Sequence, residues 1–131
     1  MLKLTGVEAV YSDVILAVKG ISLEVPAGRC VVLLGGNGAG KSTTLKSVSN
    51  IIRTEDGKVA SGAIELEGER IDNAEPASIV KRGLVHIMEG RRVLRHLTVE
   101  QNLVVGGHML SSGVELRRRL DEVYTRIPRL G

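Results

Sequence analysis

Eight residues, Gly35-Gly36-Asn37-Gly38-Ala39-Gly40-Lys41-Ser42, fit the pattern G-x-x-x-x-G-K-[ST], and they restrict what this chain can fold into more than any other stretch of it. The flanks suit the pattern. Val31 to Leu34 is a short all-apolar run that reads as a buried parallel strand, and the residues from Ser42 to Val48 are helix-compatible, so the expected unit is strand, loop, then a helix from about Lys41 to Asn50. Glycines at 35, 36, 38 and 40 allow backbone angles that a Cβ would forbid, turning successive N–H groups inward toward phosphate oxygens. The free N–H groups and positive dipole end of the helix favour the same anion. Lys41 then reaches the β- and γ-phosphates as a point charge, and the Ser42 hydroxyl is placed for Mg²⁺, with Thr43 beside it.

The rest of the composition narrows the class. Phe and Trp are absent and only Tyr11 and Tyr124 are aromatic, so the core must be built from Val, Leu, Ile and Ala, as an α/β layer fold allows. The net charge of +3 is mild, and the arginines at 91, 92 and 95 and at 117, 118 and 119 form two local clusters without interleaved aromatics. No nucleic-acid surface is indicated, and the second cluster reads as a solvated helix face. Cys30 is the single cysteine, which excludes an internal disulfide or a cysteine-based metal cluster; at the head of the apolar run it is expected to be a small buried residue. Without a signal peptide or a membrane-length apolar run, the chain reads as cytosolic and as serving any membrane from its surface.

In chain order, Leu2 to Val10 alternates loosely and predicts a strand, and Val14 to Val18 with Ile21 to Val25 predicts a second, interrupted one ending at the turn Pro26-Ala27-Gly28. Between them Tyr11-Ser12-Asp13 forms a polar tip, where the Tyr11 ring either stacks on a nucleotide base or caps a strand end. Beyond the first helix, residues 51–57 end in turn chemistry, Ala63 to Glu67 alternates as a half-exposed antiparallel strand, and Gly68-Glu69 starts a turn. A short helix is expected from Pro76 to Lys81-Arg82 with Gly83 as its stop, and Leu84 to Met88 is a candidate central strand. That strand would bring Glu89 to the edge of the sheet that holds the phosphate loop, where its carboxylate meets Mg²⁺ or the attacking water, or else is a solvated turn acid. His86 is expected as a hydrogen-bonded residue in or near the core, and His96 and His108 lack partners at metal-ligand spacing. Thr98 with Gln101 makes a capping box for a helix that buries Val99, Leu103 and Val104 and weakens at Gly106-Gly107. Ser111-Ser112-Gly113 is a break before a last amphipathic helix over about Glu115 to Ile127, stopped by Pro128.

Tyr11, Gly35 to Thr43, the strand ending at Glu89 and Leu97-Thr98-Val99-Glu100-Gln101-Asn102-Leu103 together resemble the N-terminal half of ATP-binding-cassette ATPases along the whole chain. Met88-Glu89-Gly90-Arg91-Arg92, the Leu97 to Leu103 run and Pro128-Arg129-Leu130 look most like the ATP-binding subunit of bacterial branched-chain amino acid importers. The resemblance implies an α/β fold: a P-loop NTPase core with an antiparallel β subdomain in residues 1–97, then the start of an α-helical subdomain in 98–131, an incomplete cassette. It implies ATP and Mg²⁺ as ligands, Tyr11 as the adenine-stacking aromatic, and Gly35, Asn37, Gly38, Ala39, Gly40, Lys41, Ser42 and Thr43 around the phosphates and metal. Glu89 falls where most cassettes carry the Q-loop glutamine, which contacts metal and water; a carboxylate there departs from the general pattern and fits the amino-acid-importer subgroup.

The partners implied are transmembrane permease subunits, met near Arg91, Arg92 and Arg95, and a second ATP-binding subunit arranged head to tail, with the protein peripheral on the inner face of a bacterial membrane. The sequence carries no Leu-Ser-Gly-Gly-Gln signature, no second apolar strand ending in Asp-Glu and no switch histidine after it; Leu110 to Glu115 echoes the signature without its paired glycines. In this family the general base follows that Asp, so the expectation is nucleotide binding with little or no hydrolysis by this chain alone. Self-association through uncovered apolar surface is a further expectation. The alternative is a noncatalytic nucleotide-responsive binding module. A small-molecule kinase is disfavoured by the absence of an arginine-rich lid.

Overall fold

The computed structural model describes residues 1–90 and 92–130 in two compact units, Met1–His86 and Ile87–Gly131. The division falls before the expected boundary between residues 97 and 98.

In the first unit, strands β1 (Leu2–Tyr11), β2 (Ile15–Val25), β3 (Gly57–Leu66) and β4 (Glu69–Arg70) form one antiparallel sheet in the order β2-β1-β3-β4. The β1–β2 hairpin closes through Ser12 and Asp13, both at positive φ, with the Val14 N–H donating to the Tyr11 carbonyl at 3.1 Å. That geometry matches the right-handed twist of the strands it joins. Leu4 and Val7 are both buried although three positions apart, because the β1–β2 register shifts between them and carries the apolar face across an irregularity. This explains the loose alternation of the sequence. Ile64 is buried and Glu67 exposed as the alternation predicts, and β3 begins earlier than the Ala63–Glu67 reading.

Helix α1 (Lys41–Val48) follows the glycine loop, and α2 (Pro76–Lys81) has Pro at its first turn and Gly83 at φ 93° just past its end. A 3-10 helix at Ile51–Glu55, bounded by Asn50 and Asp56 in left-handed conformation, occupies the segment expected only as turn chemistry. Two clusters make the core. Leu4, Val7, Val48, Ile64, Ile71 and Ile79 form the larger, and Ala9, Val18 and Ile52 the smaller, with Tyr11 packed against it. Asp72 is the buried acid of this unit and accepts from Arg70 Nε and Nη2, both at 3.0 Å. Burial pushes its carboxyl up, and the Arg70 and Ile64 hydrogen bonds outweigh this, holding it below the usual carboxylate range.

Two expected strands are not formed. Residues 31–34 and 84–88 carry no strand pairing among the described residues, and Val32 (71%), Leu34 (84%) and Ile87 (91%) are exposed. A parallel strand is defined by its neighbours' N–H and C=O groups, and apolar composition without those neighbours does not make a ladder. Cys30, expected to be buried at the head of such a strand, is exposed for the same reason. His86 is half-buried with Nδ1 3.1 Å from Ser49 Oγ, the satisfied histidine that was expected.

The second unit holds α3 (Val99–Gly106) and α4 (Gly113–Arg126), with a short 3-10 turn at Pro128–Leu130. Thr98 and Gln101 form the reciprocal capping box. The expected buried face of α3 is corrected: no residue of it is buried, and Val99 and Val104 are exposed; among the described residues of this unit α4 is the helix it packs against. Among the described residues no helix is long and apolar enough to cross a membrane.

On α4 Arg117, Arg118 and Arg119 are solvated, and Arg118 and Arg119 are paired. Glu115 accepts from Arg118 and Arg119, and both arginines also reach Glu122. The Arg118 hydrogen bonds, aided by Arg119, lower the Glu115 carboxyl from 4.5 to about 2. A depressed folded-state value stabilises the helix above the unfolded value and stops doing so as pH falls through the folded one. Side-chain NMR titration is therefore expected to place the Glu115 midpoint at about 2, and Arg118→Ala to move it back toward 4.5.

Candidate functional site

Gly40 is the N-cap of α1 at φ 83°, ψ 8°, and no side chain caps the helix. The first-turn N–H groups are left without intrahelical partners, as at every helix start, and here they face a loop of small residues. Thr44 reinforces the turn from inside: its N–H and hydroxyl donate to the Gly40 carbonyl at 2.8 and 2.9 Å. Lys41 Nζ donates to the carbonyls of Gly35 and Gly36 at 2.8 and 2.7 Å, so the ammonium is folded back over the loop. Ser42 is exposed, and Thr43 is half-buried. Asn37, Gly38 and Ala39 complete the exposed loop, with the Ala39 N–H turned onto the Gly36 carbonyl at 3.3 Å.

The loop is seated on the sheet. A Cβ at Gly40 would lie 2.7 Å from the Ala17 carbonyl oxygen and 3.2 Å from Val18 Cγ2, so only glycine permits this approach to β2. Val18 belongs to the small core cluster on which the Tyr11 ring also packs. One patch of sheet thus supports both the phosphate loop and the aromatic ring. An uncapped helix start, a cation able to exchange two loop carbonyls for an anion, and a side-chain-free backbone approach together fit a polyphosphate, and the exposed Ser42 hydroxyl fits a hard divalent cation held mainly by phosphates and water.

The other expected site residues lie in the second unit. Glu89 is exposed, its carbonyl accepting from Arg92 Nε at 3.1 Å. Arg92 and Arg95 are exposed, and Arg91 lies outside the described residues. Sequence reasoning missed Asn102, whose amide accepts from the Leu94 N–H at 2.9 Å and donates to the carbonyls of Leu94, Leu97 and Thr98, fixing the segment that carries Arg95 to α3. Periodicity gives no signal for such a bracket. It missed as well that Gly57 lies opposite Tyr11, which only the β1–β3 register reveals.

Residues 18–130 match the family model described as ABC transporter. The chain belongs to the ABC transporter family. High-affinity branched-chain amino acid transport ATP-binding protein BraG of Pseudomonas aeruginosa is 37% identical over 120 residues, covering 92% of this ABC transporter chain and 49% of BraG. Ribose import ATP-binding protein RbsA of Clostridium perfringens is 35% identical over 124 residues, 93% of this chain and 24% of RbsA. A solved ATP-binding subunit of an ABC transporter superposes with a TM-score of 0.76 at 27% identity, over 98% of this chain and 52% of that one. The chain spans about half the length of BraG and about a quarter of RbsA. The α/β class, with its antiparallel β layer and the start of a helical region, matches that of solved cassettes.

Proposed function

We propose that this chain is the N-terminal part of the ATP-binding subunit of a bacterial solute importer, and that it binds Mg·ATP through Gly35–Thr43. The observation that carries the reading is the glycine loop ending at an uncapped helix, with Lys41 folded over it. On binding, the Lys41 ammonium exchanges the Gly35 and Gly36 carbonyls for phosphate oxygens, a charge-assisted bond replacing neutral acceptors. Loop and first-turn N–H groups hold the remaining oxygens, Tyr11 stacks the adenine, and the Ser42 hydroxyl holds Mg²⁺. The metal, when bound, neutralises phosphate charge.

Glu89 serves at the Q-loop position, and the exposed arginines near it meet the permease on the cytoplasmic face of the membrane. Branched-chain amino acids are the proposed cargo, favoured by the Met88 to Arg92 run and by the similarity to BraG, while RbsA, named for ribose, is nearly as similar. A head-to-tail second ATP-binding subunit would complete each site. This chain by itself binds ATP without turning it over, since no Asp-Glu strand end or signature sequence stands in its 131 residues. The uncovered apolar residues at 31–34 support self-association of the isolated chain.

Calorimetric titration of the 131-residue chain with ATP, in Mg²⁺ and then in EDTA, tests the reading. One-site binding that strengthens in Mg²⁺, with Ser42→Ala removing most of that enhancement, is the expected result. No heat beyond dilution in either condition would refute it.

A further inference from the structure

We propose that Asp56-Gly57-Lys58 is the seat that orients the Tyr11 ring for base stacking, so that this tripeptide sets affinity for the nucleoside part of the ligand without touching its phosphates. The inference rests on the reading of Tyr11 as the base-stacking residue. Gly57 pairs directly with Tyr11 across β1 and β3, and it is buried. A Cβ there would come within 2.9 Å of both Cδ1 and Cε1 of the ring and 2.5 Å of Ile52 Cγ1. Any side chain at position 57 therefore displaces the ring, the Ile52 side chain beneath it, or both. The neighbours on either side hold the tip of the hairpin. The Ser12 N–H donates to the Asp56 carbonyl at 2.8 Å, the Ser12 hydroxyl donates to Asp56 Oδ2 at 3.0 Å, and Lys58 Nζ lies 2.5 Å from Asp13 Oδ1.

Three consecutive residues of β3 and its lead-in thus contact three consecutive residues of the hairpin tip. The ring is half-buried, resting on Gly57 and on the Ala9, Val18 and Ile52 cluster, and Val18 also supports Gly40 of the phosphate loop. A preset ring loses little rotational freedom when a flat base stacks on it.

The test compares two ligands that share phosphates and differ in the base: Mg·ATP and Mg·tripolyphosphate, titrated calorimetrically into the parent chain and into Tyr11→Ala, Gly57→Ala and Asp56→Ala. Tyr11→Ala is expected to weaken ATP binding by about tenfold or more while tripolyphosphate affinity changes by less than about twofold. Gly57→Ala and Asp56→Ala are expected to follow it in the same direction, Asp56→Ala by a smaller factor. Asp56→Ala adds no bulk and keeps the test independent of how well Gly57→Ala folds. Parent-like ATP affinity in both seat variants, beside a loss in Tyr11→Ala, would overturn the seat. An equal loss for both ligands would overturn it too, since the effect would then lie in the fold. Unchanged ATP affinity in Tyr11→Ala would overturn base stacking while leaving the phosphate loop standing, and binding of neither ligand by the parent would overturn the nucleotide reading itself.

Discussion

Replacing Lys41 by alanine is expected to weaken Mg·ATP binding by about 100-fold or more, roughly 3 kcal/mol, while leaving the unfolding transition nearly where it was. The two halves of this expectation come from different states of the same side chain. Without ligand, the ammonium donates to the Gly35 and Gly36 carbonyls, both of which belong to exposed residues that water can serve once the lysine is gone. The fold loses two solvent-replaceable hydrogen bonds, worth together about 1 kcal/mol or less at an exposed site. With ligand, the same ammonium meets phosphate charge beside a helix start whose dipole has the same sign, where no water can supply a counter-charge. Lys41→Arg is expected to restore only part of the affinity, because the planar fork is longer and cannot enter a loop shaped around a point charge. Isothermal titration of the three proteins, with urea denaturation alongside, separates the effects. ATP affinity in Lys41→Ala equal to that of the parent would remove the phosphate loop from the site.

The same residues show what could be read from sequence and what could not. The loop, its helix, the capping box at Thr98 and Gln101 and the short helix from Pro76 were legible because each is decided within a few residues: glycine conformations, a hydroxyl reaching the third N–H, a ring that fixes φ. The antiparallel hairpin was legible for the same reason, through the turn at Ser12-Asp13. Strands at 31–34 and 84–88 were inferred from apolar runs, and such a run states only that a segment should be covered. It does not supply the neighbouring strand that would cover it, and these segments stand unpaired, with Val32, Leu34 and Ile87 exposed. The Tyr11 environment fell between these cases. Sequence offered stacking or capping as equals, and what the ring rests on depends on a register that pairs Tyr11 with Gly57, forty-odd residues along the chain. What a local pattern encodes can be read locally, whereas what a long-range pairing decides must be seen.

Gly40→Ala is expected to be the most damaging single-methyl change in the loop, costing about 2–3 kcal/mol of stability and most of the nucleotide affinity. Two independent penalties add at this position. The φ of 83° places an L side chain in the left-handed region, and the new Cβ would sit 2.7 Å from the Ala17 carbonyl oxygen, a backbone atom of β2 at the register shift between Ala9 and Val10. Relief requires lifting α1 and its loop away from β2, which also uncovers Val18, a member of the cluster supporting Tyr11. The other loop glycines dissect the effect. Gly38, at φ 80° with nothing within 4 Å of a built Cβ, suffers the conformational penalty alone and is expected to lose about 1 kcal/mol as Gly38→Ala. Gly36 has neither a positive φ nor a close neighbour, so Gly36→Ala is expected to be neutral to slightly stabilising through the unfolded chain. The predicted order of urea midpoints is therefore Gly36→Ala, then Gly38→Ala, then Gly40→Ala, from highest to lowest. If Gly40→Ala matched Gly38→Ala, the contact with Ala17 would carry no energy and the loop would not be seated on β2. If it falls well below, the loop is seated on β2, and it shares through Val18 the patch of sheet on which the Tyr11 ring packs.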